Sequence, residues 1–560
     1  MKQSMIRLFF LLFFVIPFYT IQGQATSQSE QVDKLFARWD TNKTPGLALA
    51  VVKDGKIIYK KGYGIANLEY NVPITPSTIF HIASVSKQFT AFSILLLEKQ
   101  GKLSLDDDIR KYIPEVPDFG KKITLRHLAT HTSGLRDQWN LLAMAGWRLD
   151  DVITKEHVLK LVSKQKDLNF TPGSEYTYCN TGFTLLAEVV SRVSEMSFAE
   201  FTKANIFDPL QMNNTLFYDD HEKIVKNRAY SYYSGKGGFK KSVLNYANVG
   251  ATSLFTTVED LGLWSENFNN PIVGDAAIIN AMNTPAVLNN GKKFGGALGQ
   301  FIGKYKGLNE IQHGGADAGY RSYLTRFPDE NFAVAVFSNS AEFNSGGMAH
   351  QVVDIYLKDK ITSAPKKEVV TKETPKENIS ISESTLNSYV GHFELQPGFI
   401  IQVRNKDGQL FAKATGQAVV SLTPLSKTEF KVSGVEAKIE FTPNDGKSVK
   451  ALKLHQNGQV MRAPRVEQFD KSAVNLPDFE GSFYSEELST TYHFAVVDGK
   501  LIAQHSRHSD FELTPSKKDQ FTSPAWFFGR IKFTRGENGK IIGCRVSSGR
   551  VRNLKFEKVK

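Results

Sequence analysis

Cysteine is nearly absent. Two of the 560 residues, Cys179 and Cys544, lie far apart and in different predicted units, so no disulfide framework holds this chain together. No cysteine and histidine cluster stands at zinc-binding spacing, and no metalloenzyme motif occurs, so the chain is expected to work without a metal or other cofactor. After the first 25 residues no apolar run approaches the roughly 20 residues needed to span a bilayer. An excess of acid is missing too. Lys+Arg number 69 against 57 Asp+Glu, a formal charge of +12. The surplus is uneven: residues 1–360 carry 39 basic against 35 acidic side chains, and residues 361–560 carry 30 against 22. A basic soluble surface accounts for this, with attraction to anionic cell-surface polymer as the alternative.

What stands at the start is an address. Lys2 and Arg7 precede an almost wholly apolar stretch, residues 8–18, and small or polar residues follow through Ala25. This is the pattern of a secretory signal, residues 1–25, cleaved near Gly23 or Ala25. No cysteine near that point offers a lipid attachment site. The expected destination is periplasmic or secreted, with no transmembrane span after cleavage. Export disfavours nucleic acid as a partner.

The remaining length implies more than one domain. Residues 46–52 (GLALAVV) and 56–59 are strand-like and flank Asp54-Gly55, which predicts a hairpin. A largely helical stretch follows to about residue 270, and strand character returns at 319–327 and 332–337 before a closing helix at 348–357. Strands at both ends with helices between predict an α/β (α+β) domain, residues 30–360, whose antiparallel sheet is completed by its two termini. Residues 361–380 (ITSAPKKEVVTKETPKENIS) read as a linker.

Beyond the linker the chain repeats itself. Asp407-Gly408-Gln409-Leu410 matches Asp498-Gly499-Lys500-Leu501, Leu422-Thr423-Pro424 matches Leu513-Thr514-Pro515, Ile439-Glu440-Phe441-Thr442 matches Ile531-Lys532-Phe533-Thr534, and the Asn457-Gly458 turn matches Ser548-Gly549. Short alternating strands between glycine turns predict two small all-β barrels or sandwiches, residues 381–467 and 472–560. Neither copy holds a catalytic constellation, so these modules are expected to shape access to a site elsewhere or to hold a partner.

Chemistry centres on residues 80–97 (FHIASVSKQFTAFSILLL). Ser84 stands where a helix is predicted to begin, and Lys87 lies one turn later on the same face. A lysine of lowered pKa can take the serine proton, and a helix N-terminus favours an oxyanion. Ser-x-x-Lys recurs at Ser163 to Lys166 and Ser363 to Lys366, so the pair needs partners. Residues 172–182 (PGSEYTYCNTG) offer Tyr178, which a nearby ammonium could help ionise, and Asn180, which can orient a lysine and hold a substrate amide. Cys179 between them reads as filler, and Tyr246 to Asn248 is a competing Tyr-x-Asn. Residues 311–319 (IQHGGADAG) offer His313 to polarise a substrate or, protonated, to bind a carboxylate; Gly314 and Gly315 allow close backbone approach, and the N–H of Ala316 is a candidate oxyanion donor opposite that of Ser84.

Together with residues 131–135 (HTSGL) and 250–257 (GATSLFTT), these motifs resemble the serine β-lactamase and penicillin-binding-protein superfamily in its class C and DD-peptidase branch, across about residues 40–358. The resemblance implies a β-lactamase/transpeptidase-like fold and an acyl-enzyme on Ser84. Lys87 and Tyr178 would then share acid and base work, with Asn180 positioning substrate and the N–H groups of Ser84 and Ala316 forming the oxyanion hole. Residues 381–560 resemble the lipocalin-like modules that follow some members, including D-aminopeptidases. The third motif, usually Lys-Thr-Gly in β-lactamases, is His313-Gly314-Gly315, and an unperturbed histidine is mostly neutral at pH 7. Weak or absent β-lactamase activity is therefore implied. The expected enzyme is a serine peptidase or amidohydrolase of D-aminopeptidase or DD-carboxypeptidase type, acting on a small peptide, D-amino-acid amide or cell-wall peptide. A carboxylesterase and a penicillin-binding sensor without turnover are the alternatives.

Overall fold

The computed structural model describes residues 27–361, 379–396, 399–415, 417–435, 437–442, 448–456, 459–467 and 469–559. The predicted signal, most of the predicted linker and the Asn457-Gly458 turn lie outside them.

The N-terminal unit is built on a six-stranded antiparallel sheet in the order Phe301–Tyr305, Leu308–Asp317, Tyr320–Phe327, Phe332–Ser338, Leu47–Lys53, Lys56–Tyr63. Asp54 and Gly55 turn the predicted hairpin with φ of 47° and 76°, the left-handed pair that a tight hairpin demands. The first strand pairs with the last, from Leu47 opposite Ser338 to Lys53 opposite Phe332, so the two ends of the unit do close one sheet.

The strand Leu47–Lys53 is apolar from Leu47 to Val52 because both its faces are covered. Leu47, Leu49 and Val51 pack on Val32 and Phe36 of the helix Gln28–Phe36 and on Val352 and Val353 of the helix Ser345–Tyr356. Ala48 and Ala50 face the helical layer, where the helix Val258–Glu266 lies against the strand. In that layer the helix Lys87–Lys99 is buried nearly all round, polar Gln88, Thr90 and Ser93 included.

Two closed eight-stranded antiparallel barrels follow, running from Gly391 to Val466 and from Gly481 to Val559. The internal repeat survives in the turns. Asp407-Gly408 takes φ of 52° and 77°, and Asp498-Gly499 takes 49° and 73°. The barrels are attached differently. The first has a core of its own around Tyr389, Phe393, Phe430 and Phe441. The aromatic core of the second, including Phe483, Phe494 and Phe528, is continuous with that of the N-terminal unit. Buried Arg136 pairs with Glu487, Tyr492 donates to the Met144 carbonyl at 3.0 Å, and His508 Nε2 lies 2.7 Å from the Ala143 carbonyl. No helix among the described residues is long and apolar enough to cross a membrane.

Candidate active site

Ser84 is reached through a strained turn. Ala83 takes φ of 48°, unusual for a residue with a Cβ, and Ala83–Ser86 form a 3₁₀ turn that runs into the α-helix Lys87–Lys99. The α-helix thus starts at Lys87, not at Ser84. With three residues per turn, positions i and i+3 eclipse, which sets the serine directly under the lysine.

Lys87 Nζ donates to Ser84 Oγ at 3.0 Å, to Asn180 Oδ1 at 2.9 Å and to the Ala251 carbonyl at 2.6 Å. Its side chain is fully buried, and burial lowers its pKa to about 7 against the opposing pull of Asp317 and Asp137. Amine and ammonium are then both populated near neutrality. The oxygens of Ala251 and Asn180 can only accept, so they take two N–H groups in either state. The third position faces Ser84. It is an N–H in the ammonium and a lone pair in the amine, aimed at the hydroxyl proton.

Asn180 opens the helix Asn180–Ser194, and Asp137 fixes its amide. Asp137 Oδ2 accepts from the Asn180 backbone N–H at 2.7 Å and from Nδ2 at 2.9 Å, which turns Oδ1 toward the lysine. Asp137 carried no motif, and its role was invisible in the sequence.

Tyr178 corrects one expectation. Its ring centroid is 4.9 Å from Lys87 Nζ and stacks on His131 at 4.1 Å. The ammonium was expected to ease ionisation of the phenol. Instead burial pushes the phenol well above its usual range, and the lysine is the group whose pKa falls. The hydroxyl sits beside Ser84 and, among the described residues, makes no hydrogen bond of normal geometry. It is a protonated donor waiting for an acceptor.

His313 corrects another. It is buried, with Nδ1 2.6 Å from the Gly314 carbonyl and Nε2 unpartnered among the described residues. Burial, with the charge of Lys87, lowers its pKa to about 3, so it cannot be the protonated carboxylate anchor. Gly315 has a clear steric reason. A Cβ there would come within 2.3 Å of the Ile82 carbonyl and of Ser322 Oγ, so only glycine lets the strand press against the turn before Ser84. Ser322 Oγ donates to the same Ile82 carbonyl at 2.7 Å. Gly314, Gly315 and Ala316 share a cavity of about 630 Å³ with Ser84, Tyr178, Asn180 and His313. A larger cavity of about 920 Å³ lies between the barrels, and chemistry, not volume, selects the smaller one.

Of the rival motifs, Tyr246 is buried against Trp139 at 4.7 Å, Ser163 and Lys166 are exposed at a helix end, and Ser363 to Lys366 lies outside the described residues. Burial pushes the Cys179 thiol up to about 12, as suits filler. The cavity is also lined by Trp139, Thr252, Asp317 and Arg550, none of which was singled out beforehand. Asp317, which accepts from Thr252 Oγ1, is pushed up to about 6 by burial, and it stood in plain view within IQHGGADAG.

Penicillin-binding protein 4* of Bacillus subtilis (strain 168) is 27% identical over 442 residues, 75% of this chain and 94% of that protein. A D-aminopeptidase of Gluconobacter oxydans (strain 621H) is 28% identical over 296 residues, 53% of this chain. The match spans little more than half of that enzyme, 56%. An octameric penicillin-binding protein homologue from Pyrococcus abyssi superposes with a TM-score of 0.54 and 25% identity, over 78% of this chain and 99% of that one. Residues 375–472 match a domain of unknown function, DUF3471. The model described as Beta-lactamase matches residues 32–356, more than half the sequence and the whole span that carries Ser84, Lys87, Tyr178 and His313, and the chain therefore belongs to the Beta-lactamase family.

Proposed function

We propose that this chain is an exported serine amidohydrolase that cleaves small peptides or D-amino-acid amides through an acyl-enzyme on Ser84. The observation that carries the reading is the 3.0 Å contact between Ser84 Oγ and a buried lysine whose other N–H groups are held by acceptors. In the proposed reaction Ser84 Oγ attacks the substrate carbonyl carbon as its proton passes to the Lys87 amine. Ser84 and Ala316, which both line the cavity, supply backbone N–H groups to the oxyanion. Collapse breaks the C–N bond, and the leaving amine takes a proton from Tyr178, which Lys87 restores. Water then attacks the ester, with the same groups in reverse. A phenol kept protonated favours an amide over an ester substrate, because an amine must be protonated to leave and an activated alkoxide need not. The D-aminopeptidase relative supports the peptide and D-amino-acid class, and residues 1–25 support export.

The test is a panel of D- and L-amino-acid anilides, a D-Ala-D-Ala peptide, a nitrophenyl ester and a chromogenic cephalosporin, with labelling of Ser84 by a phosphonate. Turnover of a D-anilide or the peptide that disappears in Ser84→Ala supports the reading, with the cephalosporin slowest. Labelling without turnover of any member would leave a sensor instead.

Two further results are expected. Reaction needs Lys87 as the amine, so log kcat/KM should rise with unit slope at acid pH and level off near pH 7. A limb ending below pH 5 would assign the base elsewhere. Asp137→Ala frees the Asn180 amide to rotate and should lower kcat/KM by about 10–100-fold, with the fold retained by circular dichroism.

A further inference from the structure

The second barrel reaches into the cavity. Its last hairpin, Ile541–Ser548 with Val551–Val559, turns at Gly549 and Arg550, and Gly549 takes φ of 54°. The tip is wedged against the helix Gln138–Met144, since a Cβ on Gly549 would lie 2.9 Å from Asn140 Nδ2. Its backbone is tied down on both sides. The Arg550 carbonyl accepts from Asn169 Nδ2 at 2.8 Å, Asn169 Oδ1 accepts from the Arg552 N–H at 2.8 Å, and Arg136 donates to the Arg552 carbonyl at 3.2 Å.

The side chain leaving this fixed tip enters the catalytic cavity. The Arg550 guanidinium carbon lies 4.7 Å from the Tyr178 ring centroid, and Nη1 lies 3.6 Å from Asp137 Oδ2. That last contact is an ion pair, too long for a hydrogen bond. Asp137 is already served, since Oδ2 takes both Asn180 donors and Oδ1 takes the Trp139 N–H at 3.0 Å. Among the described residues nothing accepts a hydrogen bond from the guanidinium, whose side chain is 42% exposed. A planar fork of donors is thus left open in the cavity that Ser84 also lines.

The other candidates for a cation in this cavity are unsuited. His131 and His313 are held neutral by burial, and Lys87 is engaged as base. Asp317, on the strand that carries His313, is the remaining acid that faces the site. Arg550 brings a guanidinium into this cavity from the second barrel. We infer that Arg550 is the anchor for a substrate carboxylate, and that this hydrolase selects substrates carrying a carboxylate close to the scissile bond. The inference rests on the acyl-enzyme reading above. A guanidinium fork binds a carboxylate through two parallel hydrogen bonds, a geometry that a lysine or a neutral histidine cannot reproduce.

The experiment compares matched substrates on the full-length protein. N-succinyl-D-alanine anilide is set against its N-acetyl counterpart, and an N-acetyl D-Ala-D-Ala peptide against its C-terminal amide. The carboxylate member of one pair should be favoured by about 10–100-fold in kcat/KM, mostly through KM, and the pair affected tells which side of the scissile bond Arg550 serves. In Arg550→Gln that ratio should fall to about one, and in Arg550→Lys it should be partly kept. No carboxylate preference in either pair with the unaltered protein overturns the inference without recourse to a variant. So does a preference unchanged in Arg550→Gln. Turnover that survives in Ser84→Ala would instead overturn the acyl-enzyme reading, so the two failures are distinct.

Discussion

Lys87→Met is expected to lower kcat/KM by about 10⁴-fold. Methionine keeps the unbranched apolar stem in its buried channel and removes only the amine, so the loss reports the missing base. No neighbour can take over. Tyr178 is held protonated by burial, and His313, whose pKa burial lowers to about 3, is too weak a base. Stability carries a second signature. The folded pKa of about 7 lies below the ordinary 10.5, so between these values the unfolded chain binds a proton that the folded chain does not. Stability of the unaltered protein should therefore rise with pH across that window relative to Lys87→Met. Residual activity within tenfold of the parent would remove Lys87 from the mechanism.

Glu487→Ala should cost about 3–5 kcal/mol of stability and much of the activity with it. Its partner Arg136 is fully buried, donates also to Gln165 Oε1 at 3.0 Å, and would be left charged with that one neutral partner for the same guanidinium nitrogen. Glu487 also accepts from the Lys166 N–H at 3.0 Å, so the substitution strips two elements of the N-terminal unit at once. Arg136 precedes Asp137, and its carbonyl accepts from Thr181 Oγ1 at 2.7 Å, beside Asn180. Undocking the second barrel therefore loosens the hold on the residue that orients Lys87. Removing both partners, as Arg136→Met with Glu487→Leu, should restore most of the stability, because neither leaves an orphaned charge. Urea denaturation followed alongside kcat/KM checks both. A Glu487→Ala protein as stable as its parent would mean that the barrel is not held as the structure shows.

The two carboxy-terminal barrels are therefore unequal partners. The first keeps its own core, whereas the second shares one with the unit that carries Ser84. Their sequences look alike because the repeat records strands, turns and inward-facing aromatics, which both need. The difference lies where Glu487 and Arg550, in loops of the second barrel, and the hydroxyl of the core residue Tyr492 meet the N-terminal unit. Residue type alone does not mark an outward position as a contact.

The sequence by itself determined the elements and the pairing of Ser84 with Lys87. Alternation and turn residues specify the Asp54-Gly55 hairpin and the barrel turns locally, because their conformations depend on neighbours in the chain. Ser84 and Lys87 are three residues apart, so their meeting is a matter of local geometry as well. Tertiary structure alone decided the protonation states and the far wall of the cavity. Whether Lys87 or Tyr178 loses its proton depends on how completely each is buried, and burial is set by segments tens or hundreds of residues away. Asp137 reaches Asn180 across 43 residues, and Arg550 arrives from a separate barrel. Such contacts leave no periodicity to read, since what brings them together is the packing of whole domains.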